Sequence, residues 1–245
     1  MNDATARALA AINRDFYRDH AAEFSATRSA PWRGWERLLP SLRAVPGGRA
    51  VRVLDVGCGN GRFARWLAPA LAPRAVEVWG VDASKPLLAV ARAAAPPGAH
   101  WLAADVVAEP GTLPSGPFDL VALFAVIHGI PGRERRRALL AACAARVAPG
   151  GRLAFTTWRR GERERAVDWN TYSSRARMPI DCSQLEPGDH LIPWGPSEQP
   201  VRYFHAFDEA ELANCLEGLP LVAERRYRAD GRAGDQNEYV VLRAR

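Results

Sequence analysis

The chain has 245 residues, of which 48% are hydrophobic and 24% charged, a composition typical of a globular protein long enough to bury a full core. No apolar run approaches the ~20 residues that cross a bilayer, and the polar first twenty residues lack the apolar stretch of a secretory signal. The four cysteines are far apart and form no C-x-x-C pair. This spacing argues against a disulfide framework or a metal site, and it favours the cytoplasm.

Arginine dominates the charge of the chain. Lys and Arg number 33 against 27 Asp and Glu, giving a formal net charge of +6, and Lys85 is the only lysine. Arginine codons are rich in G and C, so the excess can reflect a GC-rich genome. It can also indicate an anionic partner such as RNA, because clustered guanidinium groups bind phosphate well. Composition alone fits both explanations.

Helical segments come first and are followed by strand-like segments. Residues 5–27 are predicted to form one or two helices. The run VRVLDV at 51–56 is apolar on both faces, which predicts a strand buried under helices. Apolar residues at helical spacing predict the next helix; they are Phe63, Trp66, Leu67, Ala70 and Leu71.

Four further strands are predicted, at 76–82, 100–106, 118–127 and 152–158. Ser84 is a candidate N-cap for the helix after the second strand, whose expected buried residues are Leu87, Leu88 and Ala91. The helix before the fifth strand is predicted to stop at Pro149-Gly150-Gly151 and to turn its arginines outward. Its expected inward residues are Leu139, Leu140, Cys143 and Val147. Repeated strand–helix units of this kind require an open, mostly parallel α/β sheet covered on both faces.

The last part of the chain is organised differently. Residues 160–206 lack clear periodicity and are interpreted as an insertion. Asp208 is predicted to cap a helix, with Glu211 reaching back and Phe207 packing onto Leu212. The residues that this helix is expected to bury are Leu212, Cys215, Leu216 and Leu219. Two strands, 221–227 and 238–244, flank Asp230-Gly231 and are predicted to pair as an antiparallel hairpin.

A glycine-rich loop follows the first predicted strand, in the segment Asp55-Val56-Gly57-Cys58-Gly59-Asn60-Gly61. Glycines let the backbone approach a ligand closely, and the N-terminus of the following helix favours negative charge. The pattern differs from the dinucleotide motif G-x-G-x-x-G. The carboxylate of Asp55 would repel a pyrophosphate but attract an α-ammonium group.

Two more acids, Asp82 and Asp105, lie near the ends of the second and third predicted strands. Asp82 is placed to accept hydrogen bonds from both hydroxyls of a ribose, and Asp105 from an adenine amino group. Each acid alone could merely cap a helix. Together with Asp55 and the glycine loop, they describe a site for an amino acid, a ribose and an adenine. S-adenosylmethionine (SAM) combines these groups, and we expect it as cofactor, with S-adenosylhomocysteine as product.

The core resembles the class I SAM-dependent methyltransferases over residues 50–160. The segments VLDVGCGNGRF, AADV, FDLVALFAVIH and VAPGGRLAF, with the Asp82 strand end, match the ordered motifs of that superfamily. The resemblance implies a Rossmann-like open sheet, mostly parallel, that ends with an antiparallel hairpin. The residues that we assign to cofactor binding are Tyr17, Arg28, Asp55, Gly57, Gly59, Gly61, Asp82, Asp105, Val106 and Ala125.

We therefore expect a single methyltransferase domain over residues 1–245. Its expected parts are an N-terminal helical extension (1–45), a cofactor-binding core (50–160), a substrate-side insertion (160–206), and a C-terminal helix and hairpin (207–245).

Both ends of the chain resemble a narrower family, the tRNA wobble-uridine carboxymethyl methyltransferases. The matching segments are FSATRSAPW (24–32), AVIH (125–128), Trp158, DHLIPW (189–194) and RYFHAF (202–207). The resemblance implies methyl esterification of 5-carboxymethyluridine in tRNA, not DNA, and a small activator subunit as a further partner. The residues assigned to the substrate are Trp32, Trp158, Trp194, Arg202, Tyr203 and His205.

The expected chemistry is modest, because a carboxylate with a pKa near ~4 is already a nucleophile at pH 7 and needs no general base. We assign Arg28 and His128 as catalytic residues. The guanidinium fork of Arg28 can hold the acceptor carboxylate or, alternatively, the carboxylate of the methionine moiety. His128 can bond the acceptor carboxylate or the uracil edge, or it can be purely structural.

Aromatic and basic residues alternate in and near the insertion, which fits a surface for single-stranded RNA or, equally, a small core of the insertion itself. These residues are Trp169, Tyr172, Arg175, Arg177, Trp194, Arg202, Tyr203 and Phe204. A second candidate RNA surface consists of Arg133, Arg135, Arg136 and Arg137. The alternative functions are O-methylation of a small carboxylic acid or other metabolite, and RNA binding without catalysis. The intact acids and glycine loop argue against the latter.

Overall fold

A seven-stranded sheet forms the centre of the computed structural model, which describes residues 1–158, 168–169, 172, 180–195 and 200–245. Its strands are β1 (Val51–Val56), β2 (Val76–Asp82), β3 (Ala99–Ala103), β4 (Phe118–Leu123), β5 (Val147–Thr157), β8 (Leu221–Ala229) and β9 (Asn237–Ala244). They lie in the order β3-β2-β1-β4-β5-β9-β8. The first five strands are parallel, and β9 pairs antiparallel with both β5 and β8. This is the predicted class I methyltransferase sheet with its terminal hairpin.

Helices cover the sheet and extend beyond its first strand. They are α1 (Asp3–Asp19), α2 (Ala21–Ala26), α3 (Leu39–Arg43), α4 (Arg62–Ala70), α5 (Lys85–Ala93), α6 (Arg133–Ala144) and α7 (Glu209–Leu216), with a 3-10 helix over Arg33–Leu38. Ser84 accepts a hydrogen bond from the backbone N–H of Leu87, and Asp208 accepts one from the N–H of Glu211, as predicted for N-caps. No helix in the described ranges is both long and apolar enough to cross a membrane.

The central strands are buried on both faces. Alternate residues of β1 enter different cores: Val51 and Val53 join one apolar cluster, whereas Leu54 and Val56 join the cluster on the opposite face. This explains why the sequence of β1 is a continuous apolar run rather than an alternating one.

The structure corrects the predicted boundary between α6 and β5. The helix ends at Ala144, and β5 begins at Val147, which pairs with Phe118 instead of facing inward from the helix. Pro149-Gly150-Gly151 therefore lies within β5 and is no helix stop. A Cβ on Gly151 would lie 2.9 Å from the carbonyl oxygen of Phe118, so the glycine permits a close approach of the two strands.

Two other predictions about polar side chains were wrong. Arg136 of α6 does not face outward but is completely buried, and its guanidinium donates to the carboxylates of Glu186 and Glu211. The side chain of Glu211 consequently does not reach back to cap α7. A buried guanidinium requires charged partners, and the pattern of a single helix cannot show them when they come from other elements.

A small antiparallel sheet forms within the segment that was interpreted as an insertion. Its strands are β6 (Asp189–Pro193) and β7 (Val201–His205), called here the cap hairpin. The amide of Asn13, in α1, donates to the carbonyl of Tyr203 (3.0 Å) and accepts from its N–H (2.9 Å). These two bonds attach the cap hairpin to the N-terminal helix.

Candidate active site

One cavity of about 730 Å³ lies at the carboxyl ends of the parallel strands, under α1, α2 and the cap hairpin. The chain order of the strands reverses between β1 and β4, and such switch points open a crevice where α/β proteins bind ligands. The predicted residues that line it are Tyr17, Arg28, Trp32, Asp55, Gly57, Gly59, Asp82, Asp105, Val106, Ala125, His128, Trp158, Arg202 and Tyr203.

The glycine loop shapes the floor of the cavity. Gly57 has a φ of +70°, and a Cβ there would lie 2.3 Å from a methyl carbon of Val126. Gly61, also left-handed, does not line the cavity; a Cβ on it would lie 2.7 Å from the Trp101 ring. Gly61 therefore has a structural role: it permits the turn into α4 and the close packing of the Trp101 ring.

Asp55 presents a buried carboxylate to this cavity. Only 2% of the residue is exposed, and its Oδ2 has no hydrogen-bond partner among the described residues. The pKa of Asp55 is raised to about 8, mainly by burial and also by the nearby charge of Asp82, while the charge of Arg62 partly offsets the rise. The unbonded carboxylate oxygen of Asp55 fits the ammonium group of a ligand, because a bound ammonium would favour the ionised form of Asp55.

Asp82 is oriented by the backbone. One of its carboxylate oxygens accepts from the N–H of Gly59 and the other from the N–H of Ser84, both at 2.8 Å. Burial raises the pKa of Asp82, and these two bonds counteract the effect. Each oxygen can still accept a second bond, as the adjacent hydroxyls of a ribose require.

Asp105 is more exposed than the other two acids. Its Oδ1 accepts from the N–H groups of Val107 and Ala108, both at 3.1 Å, so the residue shapes the loop after β3. Both β3 and β4 end earlier than predicted, at Ala103 and Leu123. Asp105 and Ala125 consequently lie on loops; the left-handed Ala125 (φ 61°) donates its N–H to the hydroxyl of Thr156.

Two arginines that line the cavity meet over one aromatic ring. Arg202, on β7, is 9% exposed; its guanidinium lies over the rings of Phe16 (5.3 Å) and Phe24 (6.0 Å). Arg28 lies over the same Phe24 ring at 4.9 Å. Burial lowers the pKa of Arg28, and the positive charge of Arg202 lowers it further.

Neither arginine has a carboxylate partner within the described part of the chain. Arg28 donates only to the carbonyl and hydroxyl of Thr27, both at 3.3 Å, and the buried Nε of Arg202 makes no hydrogen bond there. Two desolvated guanidinium groups on one ring leave a strong preference for an anion.

Arg62 is a cavity residue that sequence reasoning missed. It lies over Trp32 (4.9 Å) and Trp35 (5.3 Å), and burial, with the charge of Arg28, lowers its pKa to about 10. Its position directly after the glycine loop was the available signal. The arginine excess of the sequence obscured it.

His128 and Trp158 form a stacked pair on the cavity wall. Their ring centroids are 3.9 Å apart with an interplanar angle of 15°, and His128 is 5% exposed. The indole N–H of Trp158 donates to Asn237 of β9 at 2.9 Å, which fixes the Trp158 ring. The pair therefore presents a rigid surface against which an acceptor can be oriented.

Other sequence-assigned residues lie elsewhere. Trp194 packs edge-on against Phe16 (5.4 Å) outside the cavity, and His205 is enclosed between Asp189 and Glu211. Trp169 and Tyr172 pack in an apolar cluster with α1, which favours the small-core interpretation for both. Arg175 and Arg177 lie outside the described residues.

The four arginines of α6 do not form one basic surface. Arg136 is buried, Arg135 pairs with Asp3, and Arg137 donates to the carbonyl of Asn214, while Arg133 is exposed. The amphipathic pattern of the helix did not reveal these partners because all of them lie on other elements.

Comparisons with known proteins identify the core. A methyltransferase-domain family model matches residues 53–151. A protein of Encephalitozoon cuniculi named as a candidate methyltransferase is 31% identical over 206 residues, which cover 82% of this chain and 83% of that protein. A tRNA (carboxymethyluridine(34)-5-O)-methyltransferase of Xenopus tropicalis is 26% identical over 84% of this chain, but the match spans only 37% of the Xenopus protein.

The fold has solved counterparts. Magnesium protoporphyrin IX methyltransferase from Synechocystis, with bound S-adenosylhomocysteine, superposes with a TM-score of 0.60, 16% identity and coverage of 96% of this chain and 99% of that one. Such neighbours hold SAM or its product, and the orphaned carboxylate of Asp55 and the oriented Asp82 fit that cofactor. The cofactor of this chain is S-adenosylmethionine, its fold is that of the class I SAM-dependent methyltransferases, and the chain belongs to the methyltransferases.

Proposed function

We propose that this enzyme methylates the carboxylate of a carboxymethyl-modified wobble uridine in tRNA. The observation that carries the proposal is the Arg28–Arg202 pair, which meets on the Phe24 ring without a described carboxylate partner. An acceptor carboxylate would supply the missing anion. The matching segments at both ends of the chain and the partial similarity to tRNA carboxymethyluridine methyltransferases support an RNA-borne acceptor.

The two arginines are placed to contact different ligands, the methyl acceptor and the cofactor. Arg28 is close enough to Arg62 for their charges to interact, and Arg62 in turn interacts with Asp55, so Arg28 lies toward the cofactor loop. Arg202 belongs to the cap hairpin and reaches the same Phe24 ring from there. Arg202 is thus the primary holder of the acceptor carboxylate, whereas Arg28 can contact either the acceptor or the carboxylate of the methionine moiety.

The protein contributes alignment rather than acid–base chemistry. When bound, SAM supplies an electrophilic methyl group on a sulfonium. Asp55 and Asp82 orient that cofactor by its ammonium and ribose groups, and the guanidinium groups orient the acceptor oxygen toward it. His128, stacked on Trp158, limits the movement of the acceptor, and the cap hairpin helps to exclude water. A carboxylate with an ordinary pKa needs no base for this step.

The direct test uses radiolabelled SAM and two tRNA substrates, one carrying 5-carboxymethyluridine at the wobble position and the other an unmodified transcript. We expect label only in the modified tRNA, sensitive to nuclease and released by alkali as methanol, because a methyl ester hydrolyses readily. Absence of label from the modified tRNA would overturn the proposal, and label in a small carboxylic acid offered in a parallel reaction would favour a metabolite O-methyltransferase. Activity of the purified chain alone would also show that no activator subunit is required.

A further inference from the structure

A buried charged cluster lies behind the cap hairpin, at the junction of the hairpin with α6 and α7. His205, at the end of β7, is 1% exposed. Its Nδ1 is 2.7 Å from Asp189 Oδ1, and its Nε2 is 2.7 Å from Glu211 Oε2. The charged and titratable groups around it are Asp189, Glu186, Glu211, Arg136 and Tyr203.

Hydrogen-bond geometry determines the protonation state of His205. A neutral imidazole has one donor nitrogen, whereas the imidazolium has two. Both ring nitrogens face a carboxylate oxygen at 2.7 Å, so only the imidazolium satisfies both contacts. The hydroxyl of Tyr203 donates to the same Asp189 oxygen at 2.6 Å and therefore offers the ring no alternative acceptor.

The charge of the cluster favours the same state. The cluster contains three carboxylates and one guanidinium, that of Arg136, which donates to both Glu186 and Glu211. With a neutral His205, the net charge of this buried group would be −2; with an imidazolium it is −1. The side chains of Glu186, His205 and Glu211 converge within 4.8 Å, as in a metal centre, but Arg136 already supplies the cation between the two glutamates.

The cluster connects parts that are distant in the sequence. Asp189 belongs to β6, His205 to β7, Arg136 to α6 and Glu211 to α7. Arg202 and Tyr203, which line the cavity, lie three and two residues before His205 on β7. A shift of the strand end at His205 would therefore move the acceptor-side wall, while Asp55 and Asp82 belong to different elements.

We propose that His205, as a buried imidazolium bridging Asp189 and Glu211, is a positioning residue that fixes the cap hairpin to the core and thereby holds Arg202 at the acceptor. The acceptor part of this inference rests on the proposed function. The attachment of the hairpin does not.

The test combines hydrogen exchange with kinetics in His205→Gln, using the full chain. We expect amide exchange in residues 201–205 to accelerate at least tenfold, while β1 stays protected. The KM for carboxymethyluridine tRNA should rise about tenfold or more, and the dissociation constant for SAM should stay within twofold. The matched control is His100→Gln, at the exposed edge strand β3. It should leave the amide exchange of residues 201–205, the acceptor KM and the SAM dissociation constant unchanged.

A second measurement needs no variant. The environment of His205 raises its pKa: burial opposes the shift, but the bonds to Asp189 and Glu211 outweigh it. The acceptor KM of the wild type should therefore stay flat through pH 6.5, where an ordinary histidine titrates, and rise at a more alkaline pH as the proton is lost. A histidine NMR titration should show His205 still protonated at pH 7.

The outcomes separate the two proposals. A neutral His205 at pH 7, or unchanged exchange in residues 201–205 of His205→Gln, would overturn the bridging imidazolium. Accelerated exchange with an unchanged acceptor KM would overturn the positioning role alone. Absence of wild-type activity on carboxymethyluridine tRNA would instead contradict the proposed function, and the exchange result would still stand. If His205→Gln does not fold, the wild-type pH series and NMR titration decide the question.

Discussion

At the scale of single residues, the site depends on charges that the fold has separated from water. One cavity is lined by four such residues, Asp55, Arg62, Arg28 and Arg202. Asp55 and Arg202 each have a buried polar atom without a hydrogen bond among the described residues, and burial disfavours the charged forms of Asp55, Arg62 and Arg28. Such groups are costly in the free protein, because burial disfavours their charged forms. The ligands recover that cost, so substitutions here should affect binding more than folding.

Asp55 should couple cofactor binding to proton release. With a pKa of about 8 in the free protein, it is mostly protonated at pH 6.5, and the ammonium group of SAM should bind the ionised form. Binding at pH 6.5 should then release close to one proton per site. Calorimetry in two buffers of different ionisation enthalpy measures this number directly. Asp55→Asn should bind more weakly and release none; equal release in both proteins would refute the assignment.

Arg202 and Arg28 should respond differently to truncation. A charge-assisted hydrogen bond contributes about 1.5–3 kcal/mol, so Arg202→Ala should lower kcat/KM for the carboxymethyl acceptor about ten- to two-hundred-fold with little change in SAM affinity. Arg202→Lys should restore only part of the activity, since an ammonium lacks the planar fork. Steady-state kinetics with a separate SAM binding assay distinguish the effects.

Arg28→Ala provides the comparison. A fall in kcat/KM at constant SAM affinity would place its guanidinium on the acceptor. A rise in the SAM dissociation constant would place it on the methionine carboxylate. If neither Arg28→Ala nor Arg202→Ala affects the acceptor step, the carboxylate site proposed here is wrong.

At the scale of secondary-structure elements, the cap hairpin depends on partners far away in the chain. Asn13 of α1 holds the backbone of Tyr203, and Arg136 of α6 holds Glu211 of α7 together with Glu186, which precedes the hairpin. These contacts join elements that no local pattern would associate. They explain how a segment without clear periodicity acquires a defined strand pair.

Arg136 and Arg137 are neighbours on α6, but their removal should affect stability to very different extents. Removal of one partner from a buried ion pair typically costs about 3–5 kcal/mol, because the remaining charges stay desolvated. Arg136→Met should therefore lower the free energy of unfolding by roughly that amount. Arg137→Ala, near the surface, should change it by less than about 1 kcal/mol. Urea denaturation of both variants measures the difference, and equal effects would contradict the buried network.

At the scale of the whole molecule, the arginine excess has two explanations that can be separated. Several arginines form ion pairs within the protein, including Arg49 with Asp119 and Arg52 with Glu77. The net charge of +6 remains and would attract an anionic polymer.

Binding of tRNA should weaken steeply with salt. Each contacted phosphate of a single strand contributes about −0.7 to the slope of log K against log salt. When tRNA binding is measured from low to moderate salt, the slope of log K against log salt should be about −2 or steeper if three or more phosphates are contacted. Arg133→Ala, an exposed position, should make the slope less steep by about 0.7 if Arg133 meets the RNA. A flat response in the wild type would attribute the arginine excess to genomic composition.

Local sequence patterns were sufficient to predict the core of this protein. The β1 and β2 bounds, the Ser84 and Asp208 caps, and the terminal hairpin follow from local patterns of burial and capping, and the structure agrees. The sequence also predicted that Asp55, Asp82 and the glycine loop lie together, because parallel strands bring their carboxyl ends to one edge of the sheet. These features depend on residues that are close in the chain.

The remaining features of the site depend on how distant elements pack together. The pairing of Arg28 with Arg202 on Phe24, the burial of Arg136, and the enclosure of His205 between Asp189 and Glu211 each join segments far apart in sequence. A charged side chain looks the same in the sequence whether it faces water or a buried partner. Its partners, and therefore its charge state and role, are set by the packing of distant elements.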